Sequence, residues 1–146
     1  MNCALDANVL VAAYRVGEPH RAASRQFLAR ALSQQAEFFC PAIVLPECTG
    51  AVARATGDAR EGAKILKGLR RFPGLQLVVV GLSLADRAAE IAMRYRLRGA
   101  DSIYVAVAEL FRIPLLTWDA EMLARAPTVV PTMTPADWLA RHPATP

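Results

Sequence analysis

Several common markers of compartment and chemistry are missing from this sequence. No apolar run approaches the roughly 18 residues that a membrane span needs, so no segment is expected to enter a membrane. The N-terminus lacks a basic leader and carries Asp6 where a signal peptide would be apolar, which points to the cytoplasm. Cysteine is scarce: Cys3, Cys40 and Cys48 are odd in number and contain no CxxC spacing. That argues against a disulfide framework or a zinc site, and for small buried hydrophobes in a reducing cytosol. Lysine is nearly absent, since Lys64 and Lys67 are the only two among 17 basic residues. No serine or cysteine nucleophile has a matching histidine, so a covalent hydrolase has no candidate residues. Repeats and linkers are also missing.

What remains can build a core. The 146 residues are 54% hydrophobic and 21% charged, which excludes disorder and suits one domain over 1–146. Strands are expected at 2–5, 37–40, 75–80, 113–117 and 128–130. Helices are expected at 7–14, 20–35, 43–55, 59–72, 84–95 and 101–112, with a helical turn at 121–123 and a short helix beginning at 134–137. Asp58 and Ser83 read as N-caps, and Pro73-Gly74 as a stop. Strands alternating with helices imply parallel crossovers, and therefore a three-layer α/β/α sandwich around a short, mainly parallel sheet. The short continuous strands suit a sheet covered on both faces.

Against this apolar background the acids stand out. Asp6 ends the first strand and Asp119 lies just past the fourth. Ligands bind at the carboxyl ends of strands in an open parallel sheet, so both acids face one crevice. Asp101 opens the helix leading back to strand four, and Glu47, in the helix after strand two, reaches the same edge. Four carboxylates in one pocket cannot all ionise without cations, and an oxygen-rich site suits Mg²⁺ or Mn²⁺. The competing reading of Asp6 or Asp101 taken singly is a helix N-cap. The net charge of +4 gains meaning with the acids gathered in one place, because the remaining surface is then more basic.

The runs LDANVL at 5–10, PE at 46–47, RGADSIYVAVA at 98–108 and LLTWDAEML at 115–123 resemble, in order and spacing, the four signature blocks of PIN domains. That family comprises metal-dependent ribonucleases, and the short single-domain form resembles the VapC toxins of bacterial toxin–antitoxin pairs. The resemblance implies that Asp6, Glu47, Asp101 and Asp119 are the catalytic, metal-holding acids, with Asn8 and Thr117 as polar supports that orient carboxylates or water. It further implies RNA as substrate, a 5′-phosphate and 3′-hydroxyl as products, a small antitoxin protein as partner, and a homodimer. Helices 42–55 and 59–72 are the comparable partner-binding elements, although core packing explains their apolar residues equally well.

Arg98, three residues before Asp101, is the candidate for contacting a substrate phosphate. Lys64, Lys67, Arg70 and Arg71 share one helix side, which suits RNA backbone or an acidic partner. Trp118 either lines the pocket mouth and stacks on a base or packs over the sheet edge. His20 and His142 read as surface or capping residues without partners. The main rival function is an RNA- or partner-binding module of the same fold without significant catalysis. A phospho-acceptor receiver domain needs paired acids on strand one and a lysine ending the last strand, and the sequence has neither.

Overall fold

Cys3-Ala4-Leu5 is buried throughout because it forms the middle of a parallel sheet. In the computed structural model, which describes residues 1–143, the strands are β1 (Cys3–Leu5), β2 (Phe38–Pro41), β3 (Leu75–Val78), β4 (Leu115–Leu116) and β5 (Thr132–Met133). Their order is β3-β2-β1-β4-β5 and every neighbouring pair is parallel. Ala4 fixes the register at the centre, opposite Phe39 on one side and Leu115 on the other. The described helices are α1 (Ala7–Tyr14), α2 (Arg21–Ser33), α3 (Val44–Thr56), α4 (Ala59–Arg70), α5 (Leu82–Tyr95), α6 (Gly99–Phe111), α7 (Ala120–Arg125) and α8 (Pro135–Arg141). The expected α/β architecture is present, because parallel strands need crossovers and helices supply them.

Helix α6 crosses β2, β1 and β4 and buries the run from Tyr104 to Ala108 against them. A second part of the core is aromatic. The Phe27 ring meets Phe38 and Trp138 edge-on at 6.0 and 5.1 Å, an arrangement aromatic quadrupoles favour. Cys3, Cys40 and Cys48 are buried free thiols, and burial raises all three above the ordinary thiol range. They behave as the small core residues the sequence implied.

Three local expectations need correction. Residues 128–130 are not a strand. Ala126–Thr128 form a 3₁₀ turn, closed by Val129 N–H donating to the Ala126 carbonyl at 2.8 Å. The fifth strand lies at Thr132–Met133, where register with β4 permits pairing. β-branched composition alone does not supply a partner. Second, β3 stops at Val78 and forms the sheet edge, with Leu77 42% and Val79 80% exposed, so coverage of both faces fails there. Third, α5 starts at Leu82 with Gly81 as an N-cap lacking a side-chain bond, so Ser83 is not the cap.

Gly74 carries the turn into β3. Its φ of +74° is left-handed, and a Cβ there would lie 2.9 Å from the Ala36 carbonyl oxygen. The Gly74 carbonyl also accepts from Phe38 N–H at 2.8 Å. Gly74→Ala is expected to cost about 1–3 kcal/mol, read as a lowered urea midpoint with an unchanged slope.

Candidate active site

The chain runs from β1 to β2 and β3 on one side, then returns to place β4 and β5 on the other. Its direction therefore reverses between β1 and β4, and the crevice outside the strand ends at such a point is where open α/β sheets bind ligands. Asp6 directly follows β1, and Asp119 follows β4 after Thr117 and Trp118. Each is a helix N-cap. The Asp6 carboxylate accepts from Asn8 N–H at 3.5 Å, and that of Asp119 accepts from Met122 N–H at 2.9 Å. Glu47 lies in the first turn of α3, and Asp101 in the first turn of α6, which starts at Gly99 rather than at 101. All four acids thus sit at helix N-termini, whose unpaired N–H groups and dipoles favour negative charge. The capping alternative holds for Asp6, the N-cap of α1, but not for Asp101, because the N-cap of α6 is Arg98 and Asp101 lies within the first turn.

A polar web joins the two strand-end acids. Thr117 Oγ donates to Asp6 Oδ2 at 2.6 Å, and Asn8 Nδ2 donates to the same oxygen at 2.6 Å. Asn8 Nδ2 also lies 3.2 Å from Thr117 Oγ, which accepts from Asp119 N–H at 2.9 Å. On its other side Asn8 Oδ1 accepts from Trp118 N–H at 3.1 Å. Asn8 and Thr117 therefore tie Asp6 to the segment that carries Asp119. Glu47 is held separately, by a hydrogen bond from the buried Tyr104 hydroxyl. Burial, reinforced by Glu47, keeps that phenol protonated far above its ordinary range.

The electrostatics record how crowded the acids are. Asp6 is 6% exposed, and burial pushes its carboxyl up to about 7, against the Thr117 bond that lowers it; Asp101 and Glu47 add repulsion. Asp101 is also raised, by burial first and then by Asp119, with Arg98 opposing. Its Oδ2 is buried without a hydrogen-bond partner. Arg98 is 70% exposed and reaches across the acids without closing on any, at 3.9 Å from Asp101, 3.9 Å from Asp119 and 3.8 Å from Glu121. These separations exceed hydrogen-bond length.

The donor set suits a hard divalent cation. It consists of carboxylate oxygens, one of them buried and unpartnered, with two carboxyls held above their ordinary range by burial and, to a lesser degree, by neighbouring acids. Among the described residues no group of three His, Cys, Asp or Glu side chains is placed to hold a metal ion between them. A Mg²⁺-type site does not need one, because that ion is usually held by one or two carboxylates together with water and substrate phosphates.

Three neighbours of the site escaped the sequence reading. Tyr104 lies one turn along α6 from Asp101, a spacing that places both on one helix side. Glu121 sits two residues past Asp119, adds repulsion to Asp101 and pairs with Arg125 at 2.6 Å. His20 is not partnerless: its ring stacks on Trp118.

Comparison with known proteins agrees with this fold. The family model for the PIN domain matches residues 3–128. No curated protein sequence matches the chain. Solved structures with the same fold include VapBC2 from Rickettsia felis, bound to a DNA fragment from its promoter, at TM-score 0.70 and 14% identity over 92% of this chain and 98% of that one. VapC20 of Mycobacterium tuberculosis, described as a sarcin-ricin loop cleaving toxin, superposes at TM-score 0.70 and 17% identity over 84% of this chain and 93% of that one. FitAcB from Neisseria gonorrhoeae superposes at TM-score 0.70 and 18% identity over 92% and 98%. At these identities the structures speak for the fold, while the family match runs from the first strand past the last of the acids: the chain belongs to the PIN domain family.

Proposed function

We propose that this chain, acting as a single domain, is a Mg²⁺- or Mn²⁺-dependent endoribonuclease and the toxin half of a cytoplasmic toxin–antitoxin pair. The observation that carries the reading is the buried Asp6 carboxylate at the sheet's reversal point, crowded by Asp101 and Glu47 while Thr117 and Asn8 hold it in place. Asp6, Glu47, Asp101 and Asp119 are the residues that would hold the cation. Bound there, a divalent ion supplies Lewis acidity toward water and toward the phosphoryl oxygens. The protein's own groups do the rest. Asp6, just after β1, and Asp101, in the first turn of α6, are the carboxylates suited to take a proton from an attacking water. Direct attack by water needs no covalent intermediate and leaves a 5′-phosphate and a 3′-hydroxyl. Arg98, exposed and only loosely paired, is free to turn onto a substrate phosphate in bidentate fashion.

The partner assignment is supported by a groove of about 580 Å³ between α1, α2 and α4, lined by Leu10, Tyr14, Leu28, Leu32, Ile65 and Phe72. An apolar segment of an antitoxin fits such a groove as a docked helix or strand would. Similar folds include a toxin–antitoxin complex from Klebsiella pneumoniae, at TM-score 0.62 and 20% identity. A homodimer completes the proposed assembly. No described helix is long and apolar enough to cross a membrane, in keeping with a cytoplasmic site of action.

Purified protein is expected to cleave single-stranded RNA when Mg²⁺ or Mn²⁺ is added and to stop when EDTA removes it. Sequenced fragments should carry 5′-phosphates. Tight RNA binding with no cleavage under either metal would instead identify a binding module.

A further inference from the structure

Beside the acids lies an aromatic pair that the proposed hydrolysis does not use. Trp118 is half-buried between Thr117 and Asp119 and is fixed at three points. Its backbone N–H donates to Asn8 Oδ1 at 3.1 Å, and its indole N–H donates to the fully buried Ser24 Oγ at 2.9 Å. The His20 imidazole then lies flat on its ring, with centroids 4.0 Å apart and planes within 7° of parallel. His20 occupies the N-cap position of α2 yet makes no side-chain capping bond, and it is exposed. Its position is set by the stack, so a flat π face stands at the solvent boundary.

The connection to the acid pocket is short. Asn8, which holds Trp118, also donates to Asp6, and Asp119 is the next residue in the chain. Rigid exposed aromatic faces bind single-stranded nucleic acid by stacking on a base, with little regard to its identity. Arg21, next along α2, makes no ion pair among the described residues and places a cation near the same turn. We propose that the His20–Trp118 stack is a nucleobase subsite, where an unpaired RNA base flanking the scissile phosphate stacks on the imidazole face. This rests on the ribonuclease reading and adds to it a preference for unpaired RNA beside the cut.

The test is binding in EDTA, where no cleavage occurs. Fluorescence anisotropy would follow a short labelled single-stranded oligoribonucleotide and a counterpart of equal length whose nucleotides are abasic. His20→Ala is expected to weaken binding of the base-bearing strand about tenfold, equivalent to about 1.4 kcal/mol, and to leave the abasic strand unchanged. His20→Phe, which keeps a flat ring and loses the imidazole, should restore binding. Because His20 is exposed, both variants should fold, with His20→Ala melting slightly lower for loss of the stack on Trp118. An equal loss on both strands, no loss at all, or failure of phenylalanine to restore binding would overturn the subsite even if the protein cuts RNA. Base-dependent binding without cleavage under Mg²⁺ or Mn²⁺ would keep the subsite and remove the ribonuclease reading.

Discussion

Asp6→Asn is expected to lower metal-dependent RNA cleavage by on the order of 10²–10⁴-fold while making the metal-free protein more stable. The two effects share one cause. Asparagine keeps the shape of the side chain and one oxygen that can still accept from Thr117 and Asn8, but it removes the charge. In the wild type that charge is buried beside Asp101 and Glu47, so above about pH 7 the folded chain carries an uncompensated carboxylate when no cation is bound. Burial raises Asp6 from 3.8 to about 7, and each unit corresponds to about 1.36 kcal/mol. That shift already includes the Thr117 and Asn8 hydrogen bonds that favour the charge, so the net gain above pH 7 is on the order of 4 kcal/mol. At this chain length that is several degrees of melting temperature.

The sign follows from the direction of the shift. Because the folded-state value lies above the unfolded one, folding takes up a proton between pH 3.8 and about 7. The favourable contribution is complete below 3.8 and lost as pH rises through 7. Metal-free wild type and Asp6→Asn should therefore match in stability near pH 4, separate as pH rises, and keep a constant gap above pH 7. Added Mg²⁺ or Mn²⁺ at pH 8 should raise the melting temperature of the wild type and leave the variant where it was. Equal stability of the two metal-free proteins at pH 8 would mean that the Asp6 charge is already compensated within the chain.

The junctions between strands and helices were the most legible part of the sequence. An apolar triplet followed by an aspartate specifies a buried strand and the cap of the next helix at once, so Asp6 was placed from its immediate neighbours. Asp119 was placed less directly, by its position just past the apolar end of strand four. Asn8 and Thr117 entered through resemblance to a family, and their hydrogen bonds give them a physical task at the site. Burial was less legible. The stretch LQLVVV is the most strand-like in the chain, yet it forms the edge, because position in the sheet depends on which strands follow rather than on local composition. Thr128-Val129-Val130 shows the same limit, since propensity cannot supply a register. Contacts across long separations were invisible: Tyr104 and Glu47 meet over 57 residues, and Trp118 and Ser24 over 94. A histidine with no sequence neighbour to pair with was thus read as isolated, although the fold lays it against an indole.

Thr117→Val should produce the largest combined loss of stability and activity among the uncharged positions. Valine matches threonine in shape and strand preference, so the exchange isolates the hydroxyl. One hydroxyl has one proton and two lone pairs, and here all are committed. The proton goes to Asp6 Oδ2 at 2.6 Å, while the lone pairs accept from Asn8 Nδ2 at 3.2 Å and from Asp119 N–H at 2.9 Å. Met122 Sδ, at 3.8 Å, is too distant and too weak an acceptor to compete for that proton. Thr117 is 0% exposed, so water has no route to replace the missing oxygen. The expected cost is about 2–4 kcal/mol, read as a lowered denaturant midpoint. Cleavage should fall about 10–100-fold, the usual effect of removing a group that orients a metal-holding carboxylate. Thr117→Ser separates the two roles: it forfeits about 1 kcal/mol of methyl packing but keeps the hydroxyl, and should cut RNA at near the wild-type rate. If serine and valine proved equally slow, the methyl rather than the hydroxyl would be what positions Asp6 and Asp119, and the hydrogen-bonded web would be incidental to catalysis.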